Sequence, residues 1–141
     1  MRLAALVLGL APLGLALTAC KPAQPPLDPS AEVVARQFFE DVRSGADLDA
    51  EPHLAHELKN PTTEAQIAHF RTMIPGDPPR SIELRTWDAK TDSAGTTTRL
   101  TEAYGYGDHT LIAQFALFKS LSGQDPVIVG FNLTDEPGSG S

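Results

Sequence analysis

The chain has 141 residues, 11 Lys and Arg against 18 Asp and Glu, a net charge of −7 at pH 7, and a hydrophobic fraction of 41%. That fraction supports one globular domain of modest core, while the acidic balance, offset by no cluster of Lys or Arg, argues against nucleic acid as a partner. The single cysteine, Cys20, allows no disulfide within the chain and no second thiolate for a metal site, so packing alone must hold the fold.

A short charged start, Met1-Arg2, precedes an almost uninterrupted apolar run from Leu3 to Leu17. Charge, apolar core and small residues, in that order, make a secretory signal peptide. The run falls slightly short of the roughly 20 residues needed to cross a bilayer, and Cys20 follows at once. Leu17-Thr18-Ala19-Cys20 resembles the lipobox of bacterial lipoproteins. The resemblance implies removal of residues 1–19, a lipid on Cys20 and a domain hung from a membrane of the bacterial cell envelope. Lys21 stands where lipoproteins kept at the inner membrane carry Asp, so the implied address is the outer membrane, facing the periplasm. Cleavage removes one positive charge, Arg2, and no negative one, which takes the net charge from −7 to −8. Residues 20–29 hold the lipidated Cys and a Pro-rich, semi-rigid tether (KPAQPPLDP from Lys21). Residues 30–134 then form a single domain of about 105 residues. The last seven residues, 135–141 (DEPGSGS), read as a disordered tail.

The first helix is the clearest element. Asp28 can cap it, Pro29 suits its first turn, and Ala31, Val34, Ala35, Phe38, Phe39 and Val42 fall on one arc. Glu32, Arg36 and Glu40 stand four apart on its outer face, and Ser44-Gly45 stops it. A short helix over Pro52 to Leu58 follows. Thr63-Glu64-Ala65-Gln66 then reads as a capping box ahead of an apolar stripe of Ile67, Phe70, Met73 and Ile74, which Pro75-Gly76 ends. From Ser81 the period drops to 2: Ile82, Leu84 and Thr86 alternate with Glu83 and Arg85, a strand with one wet face. Thr96 to Tyr106 makes a second strand, Gly107-Asp108 a two-residue hairpin turn, His109 to Ser120 a third strand, and Val127 to Thr134 a fourth.

Helices first and an antiparallel meander after them predict an α+β fold, with N-terminal helices packed on a curled, four-stranded antiparallel sheet. The stretch Gly123-Gln124-Asp125-Pro126-Val127-Ile128-Val129-Gly130-Phe131 resembles the "G-x-W-x-I-x-G-F" last strand of small exported proteins with the nuclear-transport-factor-like (cystatin-like) cone fold. The long hairpin and the opening helix match as well, so the resemblance spans roughly Ala31 to Leu133. It implies a cone-like sheet. Pro126 stands where the family usually has Trp, which takes away an aromatic wall of the cone.

Residues with chemistry are few. His53 and His56 lie three apart, on one side of the expected short helix, but they lack the zinc-protease spacing and any evident third ligand, so no metal and no other cofactor is expected. Isomerases and dehydratases of the cone fold need a base facing an apolar pocket and a donor across it. The candidates for such a pocket are Asp41, bordering the helical arc, Tyr104, Tyr106 and His109 beside the hairpin, and Trp87 at a strand end. No phosphate loop and no Ser or Cys in a nucleophile context accompany them. The expected function is therefore that of a non-catalytic envelope lipoprotein whose domain binds another envelope protein. The alternatives are a binder of a small apolar ligand in the cone interior and an isomerase- or hydrolase-type enzyme. Whether the concave side of the sheet is filled or hollow separates them.

Overall fold

The computed structural model describes residues 26–138. The signal peptide, Cys20, the tether up to Pro25 and the final residues 139–141 lie outside the described residues. Among the described residues no helix is long and apolar enough to cross a membrane.

Helix α1 (Pro29–Ser44) forms where its pattern places it. Asp28 accepts the backbone N–H of Ser30 at 2.9 Å, and Pro29 occupies the first turn. Gly45, at φ 77°, ends the helix in the left-handed conformation that a side chain would resist. The expected arc is the buried face, joined by Asp41. Asp28 also binds Lys119 of the sheet, with Nζ to Oδ2 at 2.7 Å. The hydrogen bond from Lys119, followed by those from Ser30, holds the Asp28 carboxyl at about 2, below its ordinary 3.8. A carboxylate depressed in the folded state stabilises above its unfolded value and loses that contribution as pH falls through its folded value. Wild-type stability should therefore drop between about pH 4 and pH 2, and Lys119→Met should flatten that drop in thermal melts across the range. The pair is one-third exposed, which screens its worth to about 1 kcal/mol or less at pH 7.

The next stretch departs from the expected helix over Pro52 to Leu58. A one-turn helix α2 (Asp47–Ala50) runs into a 3₁₀ turn, Glu51–His53, and a second 3₁₀ turn covers His56–Leu58. Between the turns Leu54 is extended and bridges Ile128 in parallel, while the Ala55 N–H donates to the Ile128 carbonyl at 2.8 Å. That tertiary hydrogen bond, together with the missing N–H of Pro52, outweighs local helix propensity. Helix α3 (Pro61–Met73) starts earlier than the capping-box reading placed it. Asn60 is the cap, accepting the Thr63 N–H at 3.0 Å, and Thr63 is buried inside the first turn. Ile67, Phe70 and Ile74 are buried as expected, and Met73 packs partly against the core.

Strands β1 (Ser81–Thr91), β2 (Gly95–Gly105), β3 (His109–Ser120) and β4 (Val127–Pro137) make one antiparallel sheet in the order β1-β2-β3-β4. The fold is thus α+β, with its helices preceding the sheet. Gly107, at φ 95°, sits in the β2–β3 turn, across which the Tyr106 N–H donates to the His109 carbonyl. β4 runs to Pro137, opposite His109, so residues 135–137 of the expected tail are paired strand. Arg85 and Val129 each bulge out of register. The first bulge shifts the phase of β1, so that Trp87 rather than Thr86 turns inward, opposite Leu100.

Four cross-strand rows face the helices: Ile82–Tyr104–Leu111, Leu84–Glu102–Ala113–Leu133, Trp87–Leu100–Phe115–Phe131, and Ala89–Thr98–Leu117–Ile128. α1 lies across them. Phe38 meets Phe131 and Phe115 edge-on at centroid distances of 5.0 and 6.3 Å, and Phe39 stacks on Tyr104 at 3.7 Å. α3 joins through Phe70, 5.4 Å from Phe131. The void between helices and sheet is only about 20 Å³, apolar, and lined by Phe38, Phe70, Phe115 and Phe131 among others. That is room for about one water molecule, and at this point the side chains of α1, α3 and the sheet fill the space beneath α1.

Candidate functional site

The most unusual interior feature is charged. Glu102 is fully buried on the middle of the sheet's inner face. One carboxylate oxygen accepts Arg36 Nε at 2.8 Å and the other accepts the Tyr104 hydroxyl at 2.7 Å. Arg36 also pairs with Glu32 one turn earlier. Burial opposes the Arg36 charge, and the hydrogen bond and charge of Glu102, with Glu32 behind it, more than offset this, so the guanidinium pKa rises. Tyr104 is held firmly protonated, first by burial and then by the neighbouring Glu102 charge. Among the described residues its partners are Arg36 and Tyr104, and none of the clefts described below is lined by it. This is a strut between α1 and the sheet.

Sequence reasoning placed Arg36 on the outer face between Glu32 and Glu40. The Glu32 pair forms, but Glu40 binds Arg43 instead. Glu102 was legible in principle: in β2 it shares the even-numbered face with Leu100 and Tyr104, so it had to be buried and had to find a cation.

The five pocket candidates do not converge. Tyr104 is spent on Glu102 and Phe39. Trp87 is half-buried at the edge of the core. Tyr106 stacks on His109 at 5.4 Å beside the β2–β3 turn, and its buried hydroxyl has no hydrogen-bond partner among the described residues. Burial pushes that phenol up to about 12. His109 Nδ1 meets the exposed Asp108 carboxylate at 2.7 Å, and the hydrogen bond from His109 lowers the Asp108 pKa. Asp41 lies at the other side of α1, roofed by the segment after it. Its Oδ1 accepts Gln37 Nε2 at 2.9 Å and its Oδ2 is 3.4 Å from His53 Nε2.

A carboxylate behind an imidazole is the arrangement of an oriented general base. Here it lacks a substrate space, since none of these residues lines the clefts described below. His56 starts the second 3₁₀ turn, exposed, on the far side of the extended Leu54-Ala55 step. The two histidines therefore do not share a helical face, contrary to the expectation. Among the described residues, no three His, Cys, Asp or Glu side chains come together in a way that could hold a metal ion.

Four open clefts remain, a broad one of about 630 Å³ bordered by Leu54, His56, Glu57, Phe118 and Val129, and three smaller ones. One of about 290 Å³ lies between the 47–60 segment and α3, with Asp47, Glu51 and Glu64 at its mouth and Leu54, Leu58 and Ile67 within. Its one amide, Asn60, is committed to capping α3, and it contains no pairing of nucleophile and base. A second, about 410 Å³, is a shallow trough on the sheet face that no helix covers. Thr86, Asp88, Arg99, Thr101, Gln114 and Asn132 border it, over a low floor at Ala116 and Gly130. The third, about 250 Å³, sits where the chain reaches the domain, between Pro26, Asp28 and Ala31 on one side and Thr96, Leu117 and Lys119 on the other. These surfaces can hold a partner by shape and hydrogen bonds. In comparisons with protein-family models, with curated proteins and with solved structures, nothing matches this chain.

Proposed function

We propose that the chain is a lipid-anchored bacterial envelope lipoprotein, held by a lipid on Cys20 at the outer membrane and facing the periplasm, whose small domain binds another envelope protein without catalysis. The observation that carries the non-catalytic part is the filled interior, about 20 Å³ of apolar void under α1. A binder of a small apolar ligand, or an isomerase- or hydrolase-type enzyme working inside a cone, needs a cavity of roughly 300 Å³ or more. The interior void weighs against both. The anchor rests on the order of Arg2, the apolar run and Leu17-Thr18-Ala19-Cys20. The domain as a cone of the nuclear-transport-factor-like type belongs to the same proposal, supported by the order of helices first and a four-stranded meander after them. The partner's place is the uncovered trough around Arg99, Gln114 and Asn132, where polar side chains at the border can exchange hydrogen bonds over a low floor.

Cys20→Ser tests the anchor. One acyl chain binds a membrane marginally, whereas the two or three of a bacterial lipoprotein hold firmly, at about 0.8 kcal/mol per buried CH₂. The variant should move from the membrane to the periplasmic fraction. Intact-mass measurement of membrane-extracted wild type should show the added lipid, and an unmodified Cys20 would sink the reading.

A further inference from the structure

Resting on the lipid-anchored reading, we infer that the end of the sheet bearing the β3–β4 turn lies against the bilayer that holds the anchor, with Leu121 as its contact, and that the β2–β3 turn at the opposite end stands away from it. The chain arrives at the first end. Pro26 and Asp28 flank a cleft shared with Thr91, Thr96, Lys119 and Pro126, which are the last residues of β1 and β3 and the first of β2 and the approach to β4. The Asp28–Lys119 ion pair and the capping of α1 by Asp28 fix the chain there. Leu121 follows Lys119 by two residues and is 69% exposed in the turn. Val33, also largely exposed, stands on the second turn of α1 near the same end.

Reach decides the orientation. Six residue steps join Cys20 to Pro26, which even fully extended span about 20 Å. The strands have 11 or 12 residues, which at ~3.3 Å per residue makes the sheet about 36 Å long. To press the Gly107-Asp108 turn on the lipid, the domain would have to lift Pro26 about 36 Å from the surface, beyond the tether's length. Reach therefore excludes the upright inverted pose, and attachment at the Pro26 end keeps Leu121 closer on average. The partner chemistry follows from the side chain: an isolated exposed leucine at the end where the chain arrives suits the boundary between headgroups and acyl chains.

The sole cysteine simplifies the test, because lipidation consumes it. Leu121→Cys and Asp108→Cys then each offer one free thiol in the full lipidated chain. Both are labelled with an environment-sensitive fluorophore and reconstituted in phosphatidylethanolamine–phosphatidylglycerol vesicles. Nitroxide-bearing lipid should quench the label at 121 at least about twofold more than at 108, with a blue-shifted emission only at 121. Both sites are exposed turns, so neither label should disturb folding. Equal quenching, or stronger quenching at 108, on chains whose mass shows the lipid would overturn the orientation and leave the anchor standing. A mass with no lipid on Cys20 would remove the anchor and this inference with it.

Discussion

Replacing Arg36 by Met is expected to cost about 3 kcal/mol of folding stability at neutral pH, because it strips a fully buried carboxylate of its cation, whose own side chain is 38% exposed. Glu102 is 0% exposed, and Arg36 supplies its only cationic partner among the interactions described, with Nε at 2.8 Å. The Tyr104 hydroxyl would remain, but a single neutral donor does not solvate an ion. Against a total stability of about 5–15 kcal/mol for a domain of this kind, the loss would leave a marginal fold. The second substitution separates the charge from the packing. Arg36→Met combined with Glu102→Gln removes both charges and keeps an oxygen to accept from Tyr104, so more than half of the loss should return. Urea denaturation of the three proteins measures it. A single-variant loss under about 1 kcal/mol would mean that water reaches Glu102. A double variant no more stable than the single one would mean that Arg36 acts through its aliphatic stem.

How far such features can be read from the chain depends on where their hydrogen bonds go. α1 is legible because its 3.6-residue period, the Asp28 cap and Gly45 act within one segment. The strands are legible up to their bulges. A period-2 pattern has no means of announcing that Arg85 is an extra residue, so Thr86 was read as inward and Trp87 went to the strand's end. The helix expected over Pro52 to Leu58 does not form because the backbone there answers to β4, through Ala55 and Ile128, and not to its neighbours in sequence. The end of β4 was misread for a related reason. Asp135 to Pro137 look like a tail by composition, yet they find partners across the sheet in His109 to Leu111. In the candidate site, Asp41 was noticed as a polar residue on an apolar border, but its companion His53 could not be named. That contact depends on how the 3₁₀ turns fold back over α1.

Phe38→Ala should be the other severe substitution, at about 3–5 kcal/mol. Phe38 is 2% exposed and joins the two helices to the sheet: it meets Phe131 and Phe115 edge-on, and Phe131 in turn meets Phe70 of α3. The void of about 20 Å³ already borders this ring, so truncation would enlarge an existing hole, and the facing aromatic rings cannot rotate in to fill it without leaving their own contacts. Phe38→Leu keeps most of the volume and should cost less than half as much. Val33, on the same helix but 65% exposed, supplies the control: Val33→Ala should stay within about 0.5 kcal/mol of wild type. The measured order in denaturant midpoint, Phe38→Ala well below Phe38→Leu and Val33→Ala near wild type, tests both the register of α1 and the filled interior. A Phe38→Ala loss no larger than that of Val33→Ala would mean that the helix does not present Phe38 to the sheet. It would also reopen the space beneath α1 to a ligand.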